Sequence, residues 1–102
     1  MILTVLEARL DDGADEALQS AYATAIASGD RPRGLVRSEL VRDANDPSRW
    51  RIQTWWESRQ ALQELRSQGT PPAGVLMFRS AGAEPSVSIF EVVSALSSVG
   101  QS

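Results

Sequence analysis

The chain has 102 residues, of which 42% are hydrophobic and 23% charged, a composition typical of a globular domain with one hydrophobic core. Its net charge of −3 gives no electrostatic reason to bind nucleic acid or an anionic membrane surface, and we expect neither as a partner. The absence of Cys, His and Lys excludes thiolate, imidazole and Schiff-base chemistry, which leaves carboxylates, Tyr22, the backbone and water for proton transfer.

The N-terminal segments predict a strand followed by a helix. Residues Ile2–Arg9 carry apolar side chains in both alternating sets, which is typical of a strand covered on both faces. An apolar stripe at helical spacing follows, contains Tyr22, and ends at Gly29. Asp11 or Asp12 is suited to cap this helix.

The middle of the chain predicts a hairpin and a second helix. Strand-like runs over Leu35–Arg42 and Arg49–Glu57 are separated by residues 43–48, which are rich in turn formers. Ser58 is suited to cap the helix that follows, and Gly69 together with the prolines after it ends that helix.

The C-terminal third has a less decisive pattern. The apolar run Val75–Phe78 fits either a helical turn or an irregular packed segment, and the pattern does not separate the two. Residues Ser86–Ser94 predict a last strand. We therefore expect a single domain over residues 1–96 and a short polar tail over residues 97–102.

The element order β-α-β-β-α-β predicts a ferredoxin-like α+β fold, with a four-stranded antiparallel sheet and both helices on one face. Because the strands carry apolar residues in both alternating sets, a monomer would leave an exposed apolar sheet face. We therefore expect a homodimer through the sheet face, giving a homodimeric α+β barrel. No run approaches the about 20 apolar residues of a membrane span and no basic leader precedes Met1–Leu6, which predicts a cytoplasmic protein.

The stretch Gly34–Leu62 resembles the antibiotic biosynthesis monooxygenase family of dimeric α+β barrels. Its matching parts are the hairpin turn Asp43–Arg49, the strand end Trp56–Ser58, and Ala61 with Leu62 in the helix that follows. The resemblance implies a cofactor-independent monooxygenase that oxidises a small phenol or anthrone of polyketide type with O₂, needing neither flavin nor metal.

The chain departs from the family pattern at two positions. Thr54 stands where many members carry a Glu, and Leu65 stands where many carry a His. The second departure, together with the lack of any His, argues against the haem-degrading activity of other members.

Trp56 and Tyr22 are the candidate catalytic residues. The family pattern singles out the position of Trp56, whose indole would stack on a flat aromatic substrate in a cavity between helices and sheet. Tyr22 lies in the apolar stripe of the first helix, from which its hydroxyl could reach a substrate carbonyl or phenolate. The alternative is that both are ordinary core residues.

Six further side chains are candidate substrate contacts: Trp50, Thr54, Trp55, Arg37, Arg51 and Phe78. Trp50 and Trp55 are explained more simply as core or dimer-interface aromatics. Arg37 and Arg51 could anchor an enolate, although cross-strand pairing with Glu39 is the simpler interpretation. No metal-spaced cluster or Gly-rich phosphate loop is recognisable, so we expect no metal and no cofactor.

Two other functions remain open at this stage. The same dimer could bind a small hydrophobic or aromatic molecule without changing it, or act as an isomerase or cyclase, for which no base is evident. A cavity of roughly 300 Å³ or more beside the sheet would favour an enzyme or a binder. A core filled by side chains such as Met77 and Phe78 would favour neither.

Overall fold

The computed structural model describes residues 1–69 and 72–96. Its elements are, in chain order, β1 (Ile2–Arg9), α1 (Asp15–Ser28), β2 (Leu35–Arg42), β3 (Arg49–Trp56), α2 (Arg59–Arg66), α3 (Ala73–Ser80) and β4 (Ser86–Glu91). The strands form one antiparallel sheet in the order β2-β3-β1-β4. The predicted ferredoxin-like α+β fold is confirmed, with three helices instead of two. No helix of the described residues is long and apolar enough to cross a membrane.

The C-terminal third differs most from the sequence prediction. The run that the sequence left open belongs to α3, which packs against α1 and β1 and buries Val75 and Phe78, three residues apart on one helix face. Strand β4 ends at Glu91 and not at Ser94, and the N–H of Val92 still donates to the Met1 carbonyl at 3.0 Å. The tail predicted over residues 97–102 lies outside the described residues.

Helix ends agree with the sequence prediction in two places and differ in one. Ser58 accepts a hydrogen bond from the Ala61 N–H at 3.2 Å and Gly29 ends α1 at φ 75°, so both predictions are confirmed. The predicted aspartate cap of α1 is wrong. The Ala14 N–H donates to the Asp11 carbonyl at 3.0 Å, and this turn makes Ala14 the N-cap, without a side-chain bond.

The core lies between the helices and one face of the sheet. Alternation turns the even-numbered residues of β1 and β3 to this inner face, where six of them are buried: Ile2, Leu6, Trp50, Ile52, Thr54 and Trp56. Leu18 of α1 and Phe78 of α3 are completely buried against it. The other face, which we call the open face, carries the row Phe90, Leu3, Trp55 and Arg37.

Candidate active site

A cavity of about 970 Å³, partly open to solvent, lies between the inner face of the sheet and the three helices. We call it the helix–sheet cavity. Its volume lies at the upper end of the roughly 300–1,000 Å³ found for small-molecule sites. Met77 and Phe78, the side chains that could have filled this cavity, leave it open. Met77 borders the cavity and Phe78 packs into the core beside it.

Three hydroxyl side chains form a row on the floor of the cavity. Thr4, Thr54 and Ser38 stand opposite one another on β1, β3 and β2, and we call them the hydroxyl row. The Ser38 Oγ lies 3.3 Å from the Thr54 Oγ1, and the Thr4 hydroxyl lies 3.4 Å from the Thr54 carbonyl oxygen. Since adjacent strands set these spacings, the row is a product of strand register.

Tyr22 extends the hydroxyl row from the helical side. It lies in the middle of α1, half-buried, and its hydroxyl donates to the Ser38 Oγ at 2.7 Å. This bond joins α1 to β2 across the cavity. The phenol therefore has a fixed position at the end of the row, beside the space that a ligand would occupy.

Trp56 lies at the other end of the row, at the last position of β3. It is buried, packs against Ile2 and Leu62, and donates from its Nε1 to the Thr4 Oγ1 at 3.1 Å. Because the indole donor is satisfied within the protein, the ring offers the cavity an apolar surface held in one orientation.

The floor of the cavity is uncharged, and its charged residues lie around the edge. Asp30, Arg31 and Arg66 are exposed residues that border it, and Glu39 borders it as well but pairs with Arg37. Within residues 1–69 and 72–96, the carboxyl groups with a lowered pKa lie outside this cavity. Hydrogen bonds from Ser48 lower the pKa of Asp46 in the hairpin turn, and the Arg79 guanidinium lowers the pKa of Glu84. The cavity thus offers hydroxyl donors and an indole face, without a carboxylate base on its floor.

The structure brings three of the eight predicted site residues together in the cavity, namely Tyr22, Thr54 and Trp56. Arg37 borders it along the β2 edge, but its guanidinium pairs with Glu39 and lies 5.3 Å from the centroid of the Trp55 ring.

The other four predicted residues lie outside the cavity. Trp50 and Phe78 are buried in the main core cluster. Trp55 and Arg51 project from the open face, where Arg51 pairs with Glu7.

The sequence interpretation missed Ser38 and Thr4. Thr4 is the single polar residue in the inward-facing set of β1, between Ile2 and Leu6. Ser38 belongs to the inward-facing set of β2, two residues before Leu40. Polar residues at inward-facing positions of adjacent strands are the sequence signal that could have predicted these two site residues. A register shift between Leu35 and Arg37 hides the alignment of Ser38 with Thr54 until the strand pairing is known.

Comparison with known proteins identifies the family. A family model described as antibiotic biosynthesis monooxygenase matches residues 1–69. The chain belongs to the antibiotic biosynthesis monooxygenase family. A comparison with curated proteins finds no match.

Solved structures related to this family member share its fold. A candidate antibiotic biosynthesis monooxygenase of Deinococcus radiodurans has a TM-score of 0.72 at 12% identity, covering 98% of this chain and 100% of that one. A variant of SnoaB, a cofactor-independent oxygenase of Streptomyces nogalater, has a TM-score of 0.69 at 16% identity, covering 93% and 95%. The heme-degrading protein Rv3592 of Mycobacterium tuberculosis has a TM-score of 0.68 at 23% identity, covering 94% of each chain. At these identities the similarity establishes the fold alone.

Proposed function

We propose that this protein is a cofactor-independent monooxygenase that oxidises a small phenol or anthrone of polyketide type with O₂ in the helix–sheet cavity. One observation carries the proposal: a cavity of about 970 Å³ sets the indole of Trp56 and the hydroxyls of Tyr22 and Thr54 around one space. Membership of the monooxygenase family and the cofactor-independent activity of SnoaB support the reaction class.

The proposed reaction requires few functional groups of the protein. An anthrone loses a proton from its methylene carbon to water, and the resulting enolate transfers one electron to O₂. The substrate radical and superoxide combine into a peroxide anion, which takes up a proton to give the hydroperoxide. The hydroperoxide then loses water to give the quinone. One oxygen atom of O₂ enters the product and the other leaves as water. The protein therefore has to bind the ring, stabilise the enolate oxygen and exclude bulk water.

The hydroxyl row is arranged to stabilise that oxygen. When Tyr22 donates to Ser38 and Ser38 donates to Thr54, the Thr54 proton is left to donate into the cavity. Thr54 is only 8% exposed, so a hydrogen bond from it would act in a poorly solvated space, where such bonds are stronger than in water. Trp56 provides the flat surface for the ring.

The dimer and the domain extent belong to the same proposal. Leu3, Trp55 and Phe90 form an apolar row on the open face, and Phe90 is 52% exposed. A second copy packed on this face would cover that row, and its ion pairs, such as Arg51–Glu7, would lie in the same interface. We expect the homodimer to consist of single domains spanning residues 1–96.

A non-catalytic binder is the second candidate, and the uncharged cavity floor is the observation that favours it. A protein that only holds a hydrophobic or aromatic molecule needs no base. An isomerase or cyclase would need one, and the floor residues Thr4, Ser38, Ile52, Thr54 and Trp56 include no carboxylate. The two carboxylates at the edge are exposed, as Asp30 is, or paired with Arg37, as Glu39 is.

Incubation of the protein with an anthrone under isotopically labelled O₂ separates the three functions. For a monooxygenase we expect a quinone that carries one labelled oxygen atom, formed faster than without protein. A binder would return the anthrone unchanged at the uncatalysed rate, and an isomerase or cyclase would give a product without label. Either of those outcomes, measured by mass spectrometry, would refute the monooxygenase proposal.

A further inference from the structure

The arginines of this acidic chain fall into two groups by the partners they have. Six of the ten form ion pairs with carboxylates within 4.0 Å, and Arg42 lies 5.5 Å from the centroid of the Trp50 ring. Over residues 1–69 and 72–96, the remaining three have neither a carboxylate at this distance nor an aromatic ring beneath them: Arg31, Arg33 and Arg66. We call these three the arginine rim.

The three residues of the rim border two adjoining spaces, the helix–sheet cavity and a smaller pocket beside it. Arg31 and Arg33 belong to the segment between α1 and β2, and Arg66 is the last residue of α2. Arg31 and Arg66 border the cavity itself, whereas Arg31 and Arg33 border a second pocket of about 630 Å³. The cavity and this pocket share Arg31 and Leu65, so they adjoin.

Arg31 is positioned without being neutralised. Its guanidinium donates to the Asp30 carbonyl at 2.8 Å and to the Ile26 carbonyl, near the end of α1, at 3.4 Å. A cation is favoured at the carbonyl end of a helix. Backbone carbonyls hold the group in place but carry no full charge, so its positive charge remains available to a ligand.

Two carboxylates share the rim and set its net charge. Asp30 and Glu64 border the second pocket, and neither lies within 4.0 Å of a rim guanidinium in the described part of the chain. Three cations and two anions leave a net charge of one positive unit, which matches one monoanion. Because a guanidinium binds a carboxylate with two parallel hydrogen bonds, a carboxylate is the group that this rim fits.

We propose that the arginine rim binds a carboxylate carried by the ligand, so that the ligand is an aromatic acid. Its ring lies against Trp56 and the hydroxyl row, and its carboxylate points out to Arg31 and Arg66. The rim thereby selects and orients aromatic acids over neutral rings of the same shape. This inference narrows the substrate class of the function proposed above, and it rests on that function for the position of the aromatic ring.

The test compares two probes that differ only in charge, an anthraquinone carboxylate and the corresponding carboxamide, titrated against the full-length protein by calorimetry. We expect the acid to bind at least about fivefold more tightly at low salt, and this preference to shrink as ionic strength rises. Equal affinities, or no measurable binding of the acid, would overturn the proposal. Neither probe is oxidised, so a failure here is distinct from a failure to consume O₂.

Variants locate the effect at the rim. We expect Arg66→Gln and Arg31→Gln to weaken binding of the acid about threefold or more each while leaving the carboxamide unchanged, and Asp30→Asn to tighten binding of the acid. Arg59→Gln is the matched control, because Arg59 lies on the same helix α2 as Arg66 but pairs with Glu91 outside the cavity. An equal effect of Arg59→Gln, or equal weakening of both probes, would contradict the assignment.

Discussion

At the scale of single residues, Thr54 tests the hydroxyl row. Replacing it with the isosteric Val removes one buried hydroxyl and leaves the shape of the floor unchanged. We expect Thr54→Val to weaken binding of an anthraquinone probe about fivefold or more, because one hydrogen bond of ordinary strength is lost. Thr54→Ser keeps the hydroxyl and serves as the control, with affinity near that of the wild type. Equal affinities for Val and Ser at this position would show that the row does not contact the ligand.

Alanine substitutions at Gly34 and Gly13 distinguish the effect of backbone strain on stability from the effect of a steric clash. Both have positive φ, +85° and +82°, but a Cβ on Gly34 would lie 2.4 Å from the Ala61 Cβ, whereas a Cβ on Gly13 would meet nothing within 4 Å. We expect Gly13→Ala to lower the free energy of unfolding by about 1–2 kcal/mol, and Gly34→Ala by at least about 1 kcal/mol more. Urea denaturation measures both.

A compensating substitution at Ala61 isolates the contribution of the clash with Gly34→Ala. Ala61→Gly in the Gly34→Ala background removes the opposing methyl group, so part of the lost stability should return. Equal losses for the two glycine variants, with no recovery from Ala61→Gly, would mean that β2 and α2 do not pack this closely at Gly34.

At the scale of elements, the β2–β3 hairpin predicts a dependence of stability on pH. The Ser48 hydroxyl and N–H donate to the Asp46 carboxylate at 2.6 and 3.2 Å and lower its pKa from 3.8. A carboxyl group whose pKa is lower in the folded state stabilises the fold above its unfolded pKa, and this contribution is lost as the pH falls through the folded pKa.

We therefore expect wild type to be more stable than Asp46→Asn at neutral pH, with a difference that narrows once the pH drops below about 4. Denaturation at a series of pH values measures it. Ser48→Ala should remove most of the same difference, and the double variant should add little to either single change. A difference between wild type and Asp46→Asn that stays constant down to about pH 2 would contradict this account.

Elements with regular periodicity could be predicted from the sequence, and elements that depend on distant contacts could not. Alternation and turn residues placed β1, β2 and the hairpin correctly. Helix α3 escaped prediction because four apolar residues fit several structures, and its packing against α1 decides among them.

The same contrast applies within the candidate site. Trp56 was predicted from its motif and Tyr22 from its helical stripe, and both line the helix–sheet cavity. Ser38 and Thr4 could not be predicted as site residues, because only the strand register aligns them with Thr54.

At the scale of the whole molecule, the open face predicts the oligomeric state. Phe90 on the open face is 52% exposed and Leu76 on α3 is 49% exposed, so replacing either with Glu adds a charge at a similarly accessible apolar site. We expect a wild-type dimer that Phe90→Glu dissociates and Leu76→Glu leaves intact, because a buried unpaired charge is costly. Sedimentation equilibrium measures the mass. A wild-type monomer, or dissociation by Leu76→Glu alone, would exclude the open face as the interface.

The most direct test of the central claim is the rate of O₂ consumption with an anthrone, measured for wild type, Trp56→Phe and Trp50→Phe. Both tryptophans are buried on β3, but only Trp56 lines the helix–sheet cavity. We predict that the wild type consumes O₂ faster than the uncatalysed reaction does. Trp56→Phe should lower the enzymatic rate at least about tenfold, which is equivalent to about 1.4 kcal/mol of transition-state stabilisation. Trp50→Phe should change the rate little. No enzymatic consumption by the wild type, or equal losses in the two variants, would contradict the claim that this cavity is the active site.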